Sequence, residues 1–237
     1  MNKTLTFVLP LGLVLPLGAC DVLGDVGGGD GASLPPIESL FIPKPSDAAS
    51  STAVQAACAD GNETITALEA RIDELNASVA DDLALLQGLY EASPTGTAGI
   101  SSFDVDADGR TLHVELVEAA GQVAITGTID GEDYLDGAYD TDGTAGALTL
   151  KTADGEIAST WETEGDKTAI ARVEGELHVA VSIESTKVAL AIESPDGAEA
   201  AEWDRETRAG RYASADAVGC WDGAEAAADM CDAACAD

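Results

Sequence analysis

Basic side chains are scarce in this chain: eleven Lys and Arg stand against 44 Asp and Glu, for a formal charge of −33. A surface of that sign repels phosphate backbones and anionic headgroups, which excludes DNA or RNA as a partner. The acid is spread along the whole sequence, so it is not a terminal interaction arm. It fits a solvating surface selected by a salt-rich surrounding, with collection of divalent cations as the alternative. Aromatic residues make up 4% of the chain, three Phe, three Trp and four Tyr, so the core is thin and sugar-stacking platforms are few. Histidine is limited to His113 and His178, both expected on outward strand faces beside carboxylates. No Gly-x-Ser-x-Gly elbow, His-Glu-x-x-His helix, phosphate-cradling loop or dinucleotide fingerprint occurs. Carboxylate pairs are too abundant for any one to mark a glycosidase dyad. The chain is therefore expected to be non-catalytic and to need no cofactor.

Long apolar runs are equally rare. The one at Leu5–Leu17 spans thirteen residues and contains Pro10 and Pro16, whereas a membrane-spanning helix needs about twenty. With Lys3 ahead of it and the small residues Gly18 and Ala19 behind it, the run reads as a secretory signal over residues 1–19. Its end, Leu17-Gly18-Ala19-Cys20, resembles the lipobox of bacterial lipoproteins. That resemblance implies that Cys20 becomes the first mature residue and carries three acyl chains, such as palmitate, as a membrane anchor. Each buried methylene adds about 0.8 kcal/mol and a single chain holds only marginally, so three are ample for permanent attachment. The expected location is the bacterial cell envelope, with the lipid bilayer of the inner or outer membrane as partner through Cys20. Lys3 is the one charge before Cys20, so the mature chain would carry −34.

Cysteine is the next shortage. Beyond Cys20 there are four, Cys58, Cys220, Cys231 and Cys235. An even number in an exported chain predicts two disulfides, and three pairings are open. Cys231 and Cys235, four residues apart in an Ala-rich stretch, offer too few ligands for zinc.

Three textures follow the lipid cysteine. Residues 20–61 read as a flexible tether, with Gly27-Gly28-Gly29, Pro35-Pro36 and Pro43-Lys44-Pro45. Leu40-Phe41-Ile42 is the apolar exception and is expected to dock on the folded domain, placed at residues 62–237. From 62 to 92 the apolar residues Ile65, Leu68, Ile72, Leu75, Val79, Leu86 and Leu89 recur at helical spacing. They predict one long amphipathic helix packed on a sheet, or a short coiled coil whose seam Asp82 interrupts. From 101 to 206 the period changes to two, and Asp-Gly or Glu-Gly turns at 108–109, 130–131, 142–143, 154–155, 174–175 and 196–197 separate the runs, with Gly165-Asp166 a further turn. The pattern predicts an antiparallel meander of about eight to ten strands, a half-barrel if the sheet is curved, so the fold class is α+β. Residues 207–237 form a cysteine-containing segment ending in an Ala-rich helix from 224 to 236.

Two internal patterns carry competing readings. Asp104, Asp106, Asp108 and Glu115 match the spacing of an EF-hand calcium loop, but an EF-hand needs flanking helices and both flanks alternate like strands. A two-residue turn at Asp108-Gly109 explains the same residues as a hairpin, with Val105 opposite Leu112 and Phe103 opposite Val114 on the core side, and Asp104 opposite His113 and Asp106 opposite Thr111 in water. Weak calcium binding is the alternative. Leu112-His113-Val114 also returns as Leu177-His178-Val179, 65 residues on. A duplicated half-sheet would produce that echo, and so would any meander of Val- and Ala-rich strands. The functional expectation is a membrane-anchored envelope lipoprotein with a structural or binding role. A carrier or sensor of apolar ligands, resembling the periplasmic lipoprotein-carrier half-barrels in architecture, and a calcium-dependent adhesion protein are the alternatives.

Overall fold

The computed structural model describes residues 40–45, 59–93, 99–107, 109–153, 155–207, 209–215 and 218–222. One helix, α1 (Ala59–Ala92), precedes twelve strands. These are β1 (Ile100–Ala107), β2 (Arg110–Ala119), β3 (Gln122–Ile129), β4 (Glu132–Asp140), β5 (Ala145–Thr152), β6 (Gly155–Glu164), β7 (Lys167–Glu174), β8 (Leu177–Ile183), β9 (Lys187–Ser194), β10 (Gly197–Asp204), β11 (Ala209–Ser214) and β12 (Val218–Asp222). All twelve form one open antiparallel sheet in sequence order. The architecture is mostly β with a single helix among the described residues. The sheet runs from 100 to 222 and not from 101 to 206: β11 and β12 occupy the start of the segment assigned above to the C-terminal region. The Ala-rich stretch 224–236 lies outside the described residues.

Local chemistry explains the meander. Alternation puts Leu112, Val114 and Leu116 of β2 and Val123 and Ile125 of β3 on the buried face, with polar partners in water. Asp130-Gly131 closes β3 onto β4 with φ of +55° and +81°, the left-handed pair that a tight hairpin needs. The first hairpin has the register expected of a two-residue turn: Val105 pairs with Leu112, Phe103 with Val114, Asp104 with His113 and Asp106 with Thr111.

The helix lies across the strands, along one register row of the inner face. That row reads Gly137–Leu148–Ser159–Arg172–Val179–Ile192–Glu199 from β4 to β10. Near its C-terminal end, Leu86 comes so close to β4 that a Cβ on Gly137 would stand 3.0 Å from its Cδ2. In the middle, Asp82 bonds Ser159 and Arg172. Toward the N-terminal end, Arg71 pairs with Glu199 at 3.0 Å. Leu68, Ile72, Leu75, Val79, Leu83, Leu86 and Leu89 are buried in the same core as the inner sheet residues. Burying one such side chain contributes about 1.5–3 kcal/mol.

A further packing device stands beside this row. The Trp161 ring lies over Gly146 on the neighbouring strand, where a Cβ would fall 2.1 Å from it. Its indole N–H donates to the Gly143 carbonyl at 3.3 Å. Glycine is required at 146 because the ring occupies the space of a side chain.

Candidate functional site

A helix stripe that faces a core should be apolar throughout, because burying a polar group without partners costs about 2–7 kcal/mol. The stripe of α1 is interrupted twice, by Asn76 and Asp82, 8% and 7% exposed. Each interruption has a dedicated partner.

Asp82 faces the sheet. Ser159 of β6 donates its hydroxyl to Asp82 Oδ2 at 2.6 Å. Arg172 of β7 donates Nη1 to the same oxygen and to Ser159 Oγ at 2.8 Å. Its Nη2 lies 3.8 Å from Glu174 Oε2. Burial pushes the Asp82 carboxyl above the ordinary value of 3.8, outweighing the pull of Arg172 and the bond from Ser159. The three groups fix where the helix sits along the sheet, since sliding by one turn would strand a buried charge.

Asn76, six residues earlier on the helix, reads main chain. Its Oδ1 accepts from the Ile42 N–H at 2.8 Å and its Nδ2 donates to the Ile42 carbonyl at 3.0 Å. The segment it holds, Leu40–Pro45, belongs to no strand of the sheet. Leu40 and Ile42 are each 1% exposed, whereas Phe41 between them is 45% exposed. One turn before Asn76, Asp73 pairs with Lys44 at 2.9 Å. Leu40 and Ile42 of the apolar triplet are thus docked at the helix, with Phe41 turned outward.

The outer face carries the expected Asp104–His113 pair, extended into a relay by a serine that sequence reasoning missed. His113 Nδ1 lies 2.8 Å from Asp104 Oδ1, and its Nε2 lies 3.2 Å from Ser102 Oγ. The order is that of a nucleophile, a base and an orienting acid. The setting differs: the His113 and Asp104 side chains are 57% and 66% exposed on an open strand face, where water screens the field that such catalysis uses. Ser102 could have been found by period two, since it shares a face with Asp104.

The calcium candidates are drawn out straight. Asp104 and Asp106 lie on β1 and Glu115 on β2, opposite Ser102. Asp106 Oδ1 accepts from the Gly109 N–H at 3.2 Å, which is turn chemistry and no coordination shell. Asp108 lies outside the described residues. Among those residues no group of three or more His, Cys, Asp or Glu could hold a metal ion. His178 stands on the exposed face of β8. Cys220 falls on β12; Cys20, Cys58, Cys231 and Cys235 lie outside the described residues.

A shallow groove of about 520 Å³ crosses the outer face from β3 to β8. Alanines floor it: Ala138, Ala147, Ala171 and Ala180 fall on one register row with Thr160. Asp140 and Glu162 stand on the adjoining row with Ala145 and Ala169. No helix among the described residues is long and apolar enough to cross a membrane. No family model, curated protein or solved structure matches the chain.

Proposed function

We propose that this chain is a membrane-anchored envelope lipoprotein with a non-catalytic structural or binding role, its sheet held off the bilayer by the segment that follows Cys20. The anchor rests on the Leu5–Leu17 run and the lipobox-like Leu17-Gly18-Ala19-Cys20. The observation that favours a structural or binding role over carriage of apolar ligands is the packing of the inner face. A carrier needs apolar space between helix and sheet. Here Ile72, Val79 and Leu86 of α1 and Ile125, Leu148 and Val179 of the sheet are each under a tenth exposed in one continuous core.

The anchor is tested by replacing Cys20 with Ala and following the chain through membrane fractionation with an acyl label. The parent should be labelled and sediment with membranes, and the variant should be unlabelled and released. A variant that stays attached and labelled refutes the anchor. The role is tested with a fluorescent sixteen-carbon fatty acid: saturable binding to the parent would transfer the reading to the carrier class, with the open sheet then acting as a half-barrel.

A further inference from the structure

We propose that the seat on α1 at Asp73 and Asn76 is a recognition site for an extended peptide of the pattern aliphatic–any–aliphatic–Pro–basic, filled here in cis by Leu40–Pro45. Four observations define the specificity. Asn76 engages both main-chain groups of Ile42, at 2.8 and 3.0 Å, a contact that any residue but proline would offer at that position. Leu40 and Ile42 alternate inward and are fully covered, whereas Phe41 points out and is free to vary. Lys44 meets the Asp73 carboxylate at 2.9 Å. The segment joins no strand ladder, so Asn76 supplies what a neighbouring strand would give in a β-augmented complex. Main-chain bonds with alternate side chains in pockets is how an independent peptide is read.

The occupant is joined to the start of α1 by thirteen residues, 46–58, and a covalent connection of that length gives an effective concentration of roughly 1 mM. A seat with a dissociation constant of about 10–100 μM for the free peptide would therefore be at least nine-tenths occupied in cis. A partner protein carrying the same pattern would compete for it and free the docked segment. The site stands whether or not Cys20 is lipidated, so its test is separate from that of the anchor.

The probe is a fluorescent peptide with the sequence of residues 38–46, followed by anisotropy against the full chain. In the variant Leu40→Asp/Ile42→Asp the cis segment is disabled and the seat is intact. This variant should bind the peptide saturably, at least tenfold more tightly than the parent. Adding Asn76→Ala should weaken binding at least tenfold, and a peptide with Glu in place of Lys44 should bind less tightly. The proposal is overturned if the variant keeps its circular dichroism and does not bind. It also fails if the parent binds equally well, or if Asn76→Ala changes nothing. Should the double variant unfold, the parent with a protease site inserted in 46–58 replaces it. After cutting, the labelled peptide should displace the amino-terminal fragment with the sheet signal retained; a fragment that does not exchange, or whose departure unfolds the sheet, overturns the site.

Discussion

Arg172→Met is the substitution that most directly interrogates the helix–sheet junction. It keeps most of the side-chain volume and removes the guanidinium that faces Asp82 and Ser159. Asp82 would then be a carboxylate 7% exposed with one hydroxyl partner left. Breaking a buried pair by removing one member typically costs about 3–5 kcal/mol, because the survivor keeps its desolvation penalty. Total stabilities of about 5–15 kcal/mol make that a large share. The triple variant Asp82→Leu/Ser159→Ala/Arg172→Met removes every member at once and should lie within about 1 kcal/mol of the parent or above it. The assay is urea unfolding followed by circular dichroism and tryptophan fluorescence, with an unchanged slope confirming that the same surface is exposed. Screening reaches surface pairs far more than buried ones, so the Arg172→Met loss should be nearly the same at low and high salt. Lys187→Met, which breaks the half-exposed pair with Glu202 at 2.7 Å, should cost less than about 1 kcal/mol and fade with salt. A loss below about 1 kcal/mol for Arg172→Met, or a triple variant weaker than the single, would refute the assignment of this network as the pin of α1.

Gly146→Ala should cost about 1–3 kcal/mol and shift tryptophan emission, because the new methyl would meet the Trp161 ring; a neutral substitution would mean the ring does not lie there. Stability should peak on the acid side of neutrality. The raised carboxyl of Asp82 means the native state binds a proton before the unfolded chain does, so stability rises as pH falls through its folded value toward 3.8. Asp142 and Asp204, held below 3.8 by the turn N–H and hydroxyl groups of Thr144 and Thr207, and Glu202, held below 4.5 by Lys187, act oppositely: their contribution is lost as pH falls through their lowered values. Melts at half-unit intervals should give this order, and a steady rise from about pH 5 to 8 would contradict it. With −33 on the chain, sodium chloride should raise the melting temperature as screening shortens to about 3 Å near 1 M. Micromolar calcium at matched ionic strength should not, and a calcium-specific rise abolished by Asp106→Asn would restore the metal reading.

The parts of this fold legible in the sequence are those encoded within ten residues. Asp-Gly turns and period-two runs marked an antiparallel meander of about eight to ten strands between 101 and 206, and the helical stripe placed α1 to within three residues of its start. Where local chemistry was weak the reading failed. The turn between β2 and β3 is made by Ala120 and Gly121 with φ of +54° and +82°, and an alanine in the left-handed region advertises no turn. β11 and β12 are short and rich in glycine, with Gly210, Gly219 and no clean alternation, so the sheet looked complete two strands early. The buried polar contacts were hidden by distance. Asp82 was marked as a flaw in the stripe, but its partners lie 77 and 90 residues away. Asn76 carried no signal in the sequence, because what it reads is main chain, 34 residues upstream. Arg172 was discoverable, since alternation from Ile170 puts it on the inner face.

The strand order bears on the two readings of the echo at His113 and His178. Those residues fall on β2 and β8, six strands apart in a sheet of twelve. Other features repeat at the same interval. Tyr139-Asp140 leads to Ala145-Gly146 across the turn from β4 to β5, as Trp203-Asp204 leads to Ala209-Gly210 from β10 to β11, 64 residues later. In both turns an Asp Oδ1 accepts from a Thr N–H and hydroxyl, Asp142 with Thr144 and Asp204 with Thr207. Gly146 stands opposite Trp161, and Gly210 opposite Trp221. The residue spacings differ, 64 for the glycines and 60 for the tryptophans, but each pair falls six strands apart, and a doubled six-stranded unit accounts for that more simply than an arbitrary meander of valines and alanines. On that account the halves meet between β6 and β7, the strands that supply Ser159 and Arg172. The helix, present once, places Asp82 on that junction. A repeat whose units contact only their neighbours lacks a contact that fixes one half against the other beyond the shared ladder. The helix stripe spans both halves, and its buried carboxylate, bonded to both sides of the seam, adds a directional contact there, which is why stranding that carboxylate by Arg172→Met should weaken the whole sheet and not the helix alone.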